Sequence, residues 1–314
     1  MALIIDAEST KKLIDMPRAL KAVETVFRAR ARGQVTSLPR RRLRGDKRQL
    51  NLMAAWHSGW RQFALRAYMG GANTITLYNG RTGELQAVLN ASYLSSLRTG
   101  AASGVAAQHL KPRQVEVLGI IGTGKQAVFQ LLALAPVCRP KRVLIYGRNP
   151  QRRATFVRKM SQELRFALDA VSHLEEIAAR SDVVALATDS SAPILDWGHP
   201  FKDDILVITI GANQAVKHEV TTRLVEQMDL VVTDTLDAAK TDSGDLIAAC
   251  AAGALGWEQV VPLEQIVSQG FGAVRPKRIL FQSNGIADED LAVGHYVFEQ
   301  AKRKKLKARA VTGI

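Results

Sequence analysis

The segment Val115-Glu116-Val117-Leu118-Gly119-Ile120-Ile121-Gly122-Thr123-Gly124-Lys125-Gln126-Ala127 joins an apolar run to a glycine-rich turn. The apolar run predicts a buried strand, and the residues after the turn predict a helix to about residue 135. Gly122, Gly124 and Ala127 form the G-x-G-x-x-A pattern of a dinucleotide-binding βαβ unit. The first glycine permits a tight turn, the second lets the backbone approach a pyrophosphate, and the small third residue allows close packing. We therefore expect a bound dinucleotide, with a purely structural glycine turn as the alternative.

The second predicted strand of this unit ends in a basic rather than an acidic sequence, Gly147-Arg148-Asn149, and Arg152 follows in the next predicted helix. NAD enzymes usually place Asp or Glu there to bind the ribose 2′-hydroxyl. A guanidinium group instead suits a 2′-phosphate, because it forms charge-assisted and often bidentate hydrogen bonds. We therefore expect NADP(H) to be favoured over NAD(H), with a solvated basic helix start as the alternative.

Predicted strands and helices alternate between residues 113 and 291, which indicates an α/β domain with a Rossmann-type, doubly wound parallel sheet. Residues 1–112 predict an α+β domain with a mostly antiparallel sheet, in which Leu38 to Gly45 form a basic loop. The charge divides the chain in the same way, since 113–291 hold 19 basic and 22 acidic residues, 1–112 hold 18 and 6, and 292–314 hold 6 and 1. Both chain ends are therefore expected to form one domain.

The net charge of +14 and a sequence pI near 10.0 bring nucleic acid into consideration as a partner. The most basic segment, Pro39 to Gly45, has no interleaved aromatic residues and no recognised binding motif, so this partner is not expected. Two cysteines, and histidines without ligand spacing, indicate no metal site. No apolar run approaches about 18 residues and no signal peptide is apparent, so we expect a cytoplasmic protein without a membrane span.

Two further groups of charged residues are candidates for chemistry. Arg40, Arg41 and Arg42 lie together, and Arg66 and Arg98 lie in a predicted strand and at a predicted helix start. Arginines facing a cofactor could bind a carboxylate substrate, and a solvated surface is the alternative for each of them. The acidic group comprises Asp234, Asp237, Asp242 and Asp245. It could serve acid–base chemistry, but we favour a solvated acidic turn near Ser243 and Gly244.

Several blocks of the sequence, taken in order, resemble the ornithine cyclodeaminase/mu-crystallin family. The blocks are Leu97 to Ala102, Gly119 to Ala127, Ser181 to Val184, Ala187-Thr188 with Ser191 to Leu195, Ile208 to Asn213, Ser243 to Leu246 and Phe281 to Ala287. Together they extend over nearly the whole chain. The glycine-rich turn alone is common to many folds, whereas the Arg-Thr-x-Ala-Ala block followed by that turn is specific.

The resemblance implies a two-domain oxidoreductase subunit. Residues 113–291 would form the Rossmann domain that binds a nicotinamide cofactor, and 1–112 with 292–314 would form the substrate-binding domain of a homodimer. Family members catalyse cyclodeamination of ornithine to proline, NADPH-dependent reduction of cyclic ketimines, or oxidative deamination of alanine. Each reaction passes hydride between nicotinamide and the α-carbon of a small amino or imino acid.

The resemblance also implies roles for single residues. The catalytic positions that it implies are Arg98, Asn213 and Arg66. Substrate binding is implied for Arg41, Arg66, Arg98 and Asn284, with the register among Arg40, Arg41 and Arg42 left open. Together with the positions chosen above from the fingerprint and the second strand, the expected cofactor-binding residues are Gly122, Thr123, Gly124, Lys125, Gln126, Arg148, Asn149, Arg152, Thr188, Gly211, Asn213, Lys217 and Ser283.

Two positions depart from the family's pattern. Asn213 stands where ornithine cyclodeaminases carry a catalytic Asp, and an amide cannot take a proton at neutral pH. Arg66 stands where the family usually has Lys, and an arginine cannot donate or accept a proton at neutral pH. We therefore expect reduction of a cyclic ketimine, such as pyrroline- or piperideine-2-carboxylate, rather than cyclodeamination. Ornithine cyclodeaminase, alanine dehydrogenase and a non-catalytic NADPH-binding protein are the alternatives.

Overall fold

The computed structural model describes the chain in four stretches, residues 2–164, 166–272, 274–304 and 309–311. In chain order, the elements are β1 (Ala2–Ile5), α1 (Ala7–Leu13), α2 (Met16–Ala31), β2 (Val35–Arg44), β3 (Gln49–His57), β4 (Gln62–Met69), β5 (Ala72–Asn79), β6 (Leu85–Asn90), α3 (Leu94–Leu110), β7 (Val117–Ile121), α4 (Lys125–Cys138), β8 (Arg142–Tyr146), α5 (Pro150–Glu163), β9 (Ala167–Ala170), α6 (Leu174–Arg180), β10 (Val183–Leu186), β11 (Ile205–Thr209), α7 (Thr222–Glu226), β12 (Leu230–Thr233), α8 (Leu236–Asp242), α9 (Gly244–Ala251), β13 (Val260–Pro262), α10 (Leu263–Gln269), β14 (Arg278–Gln282), α11 (Ala287–Arg303) and β15 (Arg309–Val311). A 3₁₀ turn at Trp257–Gln259 precedes β13.

The chain divides into two compact units. Unit 1 comprises Met1–Ala101 and Ile286–Ile314, and unit 2 comprises Ala102–Gly285. The limits expected from the sequence lie instead after residues 112 and 291, where the charge balance changes. Those domain limits stay a prediction, and the two units are described separately below.

Unit 1 contains a seven-stranded sheet in the order β15-β1-β6-β5-β4-β3-β2. Strands β2 to β6 are joined as an antiparallel series, and β1 adds in parallel to β6. Burial alternates along β3, where Asn51, Met53, Ala55 and His57 are buried and the residues between them are half-buried. This alternation shows that one face of the sheet is buried, and α11 and α2 pack on that face.

The basic segment after α2 forms a strand, so the expected loop at Leu38 to Gly45 is wrong for most of its length. Strand β2 extends to Arg44 and pairs antiparallel with β3, with an irregularity between Leu38 and Arg41. The proline and the arginines of this segment have low strand propensity, which favours a loop in a prediction from sequence. At the edge of a sheet, however, Pro39 needs no second partner strand, and exposed basic side chains protect the open edge.

Unit 2 contains an eight-stranded sheet in the order β13-β12-β14-β11-β10-β7-β8-β9, in which every pair is parallel. The strands are buried on both faces, as shown by the fully buried Leu118, Ile120, Val184, Val207 and Leu280. The chain moves outward from β7 to β8 and β9, and then returns to place β10 on the other side of β7. The expected α/β, doubly wound parallel sheet is confirmed, and its switch point lies between β7 and β10.

The described part of the chain also bears on membrane and metal binding. None of the helices there has the length and hydropathy needed to cross a membrane. Within the same residues, no group of three or more His, Cys, Asp or Glu side chains is arranged to hold a metal ion.

Candidate functional site

The glycine-rich fingerprint forms the turn between β7 and α4. Gly122 has φ 121°, and a Cβ there would lie 2.4 Å from the carbonyl oxygen of Ala187, so the position requires glycine. Gly124 is the N-cap of α4, and a Cβ there would meet no atom within 4 Å. The backbone is therefore open to close approach, and the first N–H groups of α4 have no partner within the helix. The turn fits the pyrophosphate of a dinucleotide.

The remaining fingerprint residues surround this turn. Ala127 is fully buried, which lets α4 pack closely on the sheet. Thr123 and Gln126 are half-buried and Lys125 is exposed at the first position of α4. A Cβ on Gly147 would lie 2.9 Å from the methyl carbon of Thr123, so the ends of β7 and β8 approach each other here.

Three further expected cofactor residues lie between β8 and the first turn of α5. Arg148 and Arg152 are exposed. Asn149 is the N-cap of α5, and its Oδ1 accepts a hydrogen bond from the backbone N–H of Arg152 at 2.9 Å. Arg153 instead turns back, and its Nη1 donates to the carbonyl oxygen of Gly147 at 2.9 Å. Two exposed guanidinium groups therefore stand at the position that faces the adenosine ribose in this type of fold.

A carboxylate that the sequence analysis did not single out, Glu219, joins the loops after β10 and β11. Its Oε1 accepts from the backbone N–H and the hydroxyl of Thr188 at 2.8 and 2.7 Å. Its Oε2 accepts from the N–H groups of Ile210 and Gly211 at 3.0 and 2.7 Å. Glu219 is completely buried, and burial raises its pKa while the four donors act in the opposite direction.

Asn213 and Lys217 lie in the loop that follows β11. Asn213 is half-buried, and the ammonium of Lys217 forms an ion pair with Asp189, which follows Thr188. A Cβ on Gly244 would lie 1.9 Å from the carbonyl oxygen of Lys217, so the start of α9 packs tightly against this loop. Four of the expected cofactor residues, including Thr188 and Gly211, thus belong to two neighbouring loops at the carboxyl end of the sheet.

Ser283 and Asn284, which follow β14, are organised by Asp234 at the end of β12. Asp234 Oδ2 accepts from the hydroxyl of Ser283 at 3.2 Å and from the N–H groups of Asn284 and Gly285 at 2.6 and 2.8 Å. The side-chain amide of Asn284 donates to the hydroxyl of Thr233 at 3.3 Å. Ser283 and Asn284 are both buried, so their side chains are fixed within unit 2.

The expected solvated acidic turn is wrong for three of its four carboxylates. Asp234, Asp242 and Asp245 are buried, and Asp237 is exposed. Backbone N–H groups donate to Asp234 and Asp245, which offsets the desolvation of these carboxyl groups. Sequence spacing alone could not separate these buried acceptors from their exposed neighbour.

Asp245 lies in the first turn of α9 beside Glu219. Its Oδ1 accepts from the backbone N–H of Glu219 at 2.9 Å, and the Nδ1 of His218 lies 3.7 Å from the same oxygen. Burial, followed by repulsion from the Glu219 carboxylate, raises the pKa of Asp245 from 3.8 to about 8. Glu219 is thus held by four donors, and its proximity adds to the burial that raises the pKa of Asp245.

In unit 1, the expected substrate arginines Arg66 and Arg98 meet at the first turn of α11. Arg66 Nη1 donates to both oxygens of Asp290 at 3.2 Å. Arg98 donates from Nε to Asp290 Oδ1 at 3.1 Å and from Nη1 to Glu289 Oε2 at 2.8 Å. All four side chains are at least 95% buried, since their exposed fractions are 5% or less. The structure therefore brings both arginines together, each already paired with an acidic side chain.

Two polar residues further orient Arg66. Its Nε donates to Asn73 Oδ1 at 3.1 Å, and its Nη2 donates to Ser95 Oγ at 2.7 Å. Its guanidinium carbon lies 4.5 Å from the ring centre of Tyr68, within cation–π range. Burial lowers the pKa of Arg66, and Asp290 opposes that change.

The register of β2 separates Arg41 from Arg42. Arg42 pairs with Asn51, and Arg66 pairs with Met53. Directly opposed residues share a face, and residues two apart along a strand share it too, so Arg42 lies on the face of Arg66. Arg41 points to the other face and is exposed. The register therefore places Arg42, and not Arg41, on the face that carries Arg66, and which of the three arginines binds substrate stays a prediction.

Glu219, Glu289 and Asp290 are the residues that sequence reasoning missed. For the last two a signal existed, because three consecutive acids, Asp288 to Asp290, open the final helix. Acidic residues favour a helix N-terminus, and such a run on the otherwise basic chain end could have suggested paired arginines. Glu219 stands in no motif of the sequence.

The raised pKa of Asp245 makes the stability of the protein depend on pH. The folded chain holds a proton that the unfolded chain releases between the ordinary value of 3.8 and about 8. The free energy of unfolding should therefore fall as pH rises through this window and level off above it. In Asp245→Asn the fall should be shallower by as much as about 1.4 kcal/mol per pH unit. Urea unfolding at pH 5, 6 and 7 measures this pH dependence of the free energy of unfolding. Asp237→Asn, at an exposed carboxyl group, is the control.

An identical pH slope in Asp245→Asn and the native chain would contradict this assignment. A similar change in Asp237→Asn would contradict it as well, because that carboxyl group is exposed.

Comparison with known proteins places this geometry among nicotinamide-dependent enzymes. An alanine dehydrogenase of Archaeoglobus fulgidus is 32% identical to the chain and is aligned over 98% of this chain and 97% of its own. A Delta(1)-pyrroline-2-carboxylate reductase of Bacillus cereus is 27% identical over 75% of this chain and 73% of its own. The crystal structure of the iminosuccinate reductase of Paracoccus denitrificans in complex with NAD+ matches with a TM-score of 0.91 and 26% identity, over 97% of this chain and 98% of that one.

The resemblance expected from the sequence blocks is confirmed at the level of the family. The family model described as the ornithine cyclodeaminase/mu-crystallin family matches residues 2–305, which is almost the whole chain. The chain belongs to the ornithine cyclodeaminase/mu-crystallin family.

Proposed function

We propose that this protein is an NAD(P)H-dependent reductase of small 2-imino acids, with a cyclic ketimine such as pyrroline- or piperideine-2-carboxylate as substrate. The observation that carries the proposal is the turn at Gly122 and Gly124, which is open to a pyrophosphate at the carboxyl end of β7. Relatives in the family that act on pyrroline-2-carboxylate and on iminosuccinate support an imine substrate.

The arginines of unit 1 suit the carboxylate of such a substrate. A bound nicotinamide would supply hydride from its C4 to the carbon of the C=N bond. Within the described residues Arg66 makes four hydrogen bonds, one fewer than its five N–H donors. Arg98 approaches the same Asp290. Fixing the substrate carboxylate in this way supplies rate through orientation, and it needs no proton from Arg66.

Alanine dehydrogenation is the second candidate, because the archaeal relative aligned over nearly the whole chain is an alanine dehydrogenase. It uses the same hydride transfer on an acyclic imino acid. Cyclodeamination of ornithine is less well supported, because Asn213 offers an amide where a carboxylate is needed to accept a proton.

The reaction is tested by oxidation of NADPH and NADH, followed through their absorbance. We expect turnover with pyrroline- or piperideine-2-carboxylate, and turnover with pyruvate plus ammonia would select the dehydrogenase instead. Release of ammonia from ornithine with catalytic NAD would select the cyclodeaminase. A chain that binds NADPH and turns over none of these compounds would contradict an enzymatic function.

The cofactor is proposed to be NADP(H) in preference to NAD(H), because Arg148 and Arg152 are exposed where a ribose 2′-phosphate is recognised. Arg148→Asp should lower the ratio of kcat/KM for NADPH to that for NADH by about tenfold or more, the equivalent of one lost charged hydrogen bond. Arg158→Asp, an exposed substitution further along α5, is the matched control. An unchanged ratio in Arg148→Asp would remove Arg148 from cofactor selection.

A homodimer is proposed to form through the sheet face of unit 1 that lies opposite α11. This face carries Trp56, whose ring lies 4.3 Å from that of Phe63, and Phe63 is 47% exposed. Leu65, Tyr78 and Val88 lie half-buried on the same face. An apolar sheet face of this kind suits a second copy of the chain.

We also propose a cytoplasmic location, which suits the unpaired Cys138 and Cys250 and is testable by cell fractionation.

Sedimentation of the purified chain tests the dimer. We expect a particle of about twice the chain mass of 34.3 kDa. Phe63→Glu should dissociate it, because a charge would be buried unpaired in the interface. Val274→Glu, at an exposed position in unit 2, should leave it intact. A native protein that sediments with the mass of one chain at micromolar concentration would contradict the proposed dimer.

A further inference from the structure

We propose that Glu219 is a positioning residue for the nicotinamide cofactor, because its carboxylate fixes the two loops that carry Thr188, Gly211, Asn213 and Lys217. This inference rests on the proposed function in one respect, namely that these loops line a dinucleotide. It adds a buried carboxylate that neither the fingerprint nor the arginine cluster includes.

The hydrogen bonds require a carboxylate at this position. Three of the four partners of Glu219 are backbone N–H groups, from Thr188, Ile210 and Gly211, and these can only donate. Both lone pairs of Oε2 are occupied by such donors. A glutamine would offer a single accepting oxygen, and its amide N–H groups would face donors on the other side. A side chain of the same shape therefore cannot replace the four accepting positions of the Glu219 carboxylate.

Glu219 is itself held rigidly. Its backbone oxygen accepts from the N–H groups of Ile194 and Leu195 at 2.9 and 3.0 Å, and its N–H donates to Asp245. A Cβ on Gly211 would lie 2.6 Å from Oε1 and 2.2 Å from the carbonyl oxygen of Thr188. The two loops therefore approach so closely around the carboxylate that the second loop needs a glycine there.

The position of this junction in the sheet connects it with cofactor binding. Strands β10 and β11 are neighbours, and Thr188 and Gly211 each lie two residues beyond the end of their strand. In an open parallel sheet the ligand lies outside the carboxyl ends of the strands. Lys217 and Asp189 form a second connection between the same loops. A change at Glu219 would therefore alter the spacing of residues that we expect to contact the dinucleotide.

The other end of β10 provides a matched control. Asp182 precedes β10, is buried, and accepts from the N–H groups of Glu116 and Val117, both at 2.8 Å, as well as from Lys202. Asp182→Asn thus removes the same kind of hydrogen bond in the same unit. It does so at the amino end of the sheet, away from the expected cofactor.

Direct binding of NADH, measured by its fluorescence, tests the proposal. Glu219→Gln should raise the Kd for NADH at least tenfold, since several bonds to a charged acceptor are lost. In steady state it should raise the KM for NADH while changing the KM for the imino acid less than twofold. Asp182→Asn should lower the midpoint of thermal unfolding but change the Kd for NADH less than twofold. If Glu219→Gln does not fold, Thr188→Val removes one of the four bonds and should raise the Kd about threefold or more.

The inference is overturned if Glu219→Gln lowers the thermal midpoint and leaves the Kd unchanged, or if Asp182→Asn weakens NADH binding equally. An unchanged Kd in Thr188→Val also overturns it. These outcomes are distinct from a failure of the proposed reaction, because binding is measured without an imino acid. A native chain that binds NADH but reduces no imine overturns the proposed reaction alone, whereas one that binds neither NADH nor NADPH overturns both.

Discussion

The carboxylate of Asp290, buried at the start of α11, accepts hydrogen bonds from both Arg66 and Arg98. Unit 1 depends on this interaction, because it ties the sheet and α3 from the first part of the chain to a helix from its end. Burying charges is costly, and only good geometry and complete pairing repay that cost. Removing a single partner from such a buried pair typically costs about 3–5 kcal/mol, because the remaining charge stays buried alone.

The same pairing determines what the arginines can offer a ligand. With Glu289 included, the cluster holds two cations and two anions and is neutral as a whole. A substrate carboxylate would therefore find directional N–H donors on preorganised guanidinium groups rather than a large uncompensated positive charge. Preorganised donors serve positioning well, because little rotamer freedom is lost when the ligand binds. The neighbouring pair of Arg30 and Asp288, 2.8 Å apart, fixes the same turn of α11 from α2.

The two units differ in how far the sequence predicts them. The parallel sheet of unit 2 and the turn at Gly122 followed from local patterns, since strand, turn and helix are adjacent in the chain. The expected basic loop at Leu38 to Gly45 is instead an edge strand, because pairing with β3 outweighs the low strand propensity of its proline and arginines. The partners of Arg66 and Arg98 could not be predicted locally either, since Asp290 lies 224 and 192 positions away. Glu219 could not be recognised from a motif, because three of its four hydrogen-bond donors are backbone N–H groups, which any residue except proline supplies.

The two buried carboxylates, Asp290 and Glu219, are stabilised by different means, and the difference has consequences. Arginine neutralises Asp290, so the cluster in unit 1 carries no excess charge. Glu219 is surrounded by peptide dipoles, which solvate a carboxylate without cancelling it. Burial raises the pKa of Glu219, and its four donors oppose that rise without supplying a compensating positive charge. Repulsion from Glu219 in turn adds to the burial that raises the pKa of the adjacent Asp245, so the two acids are coupled within unit 2.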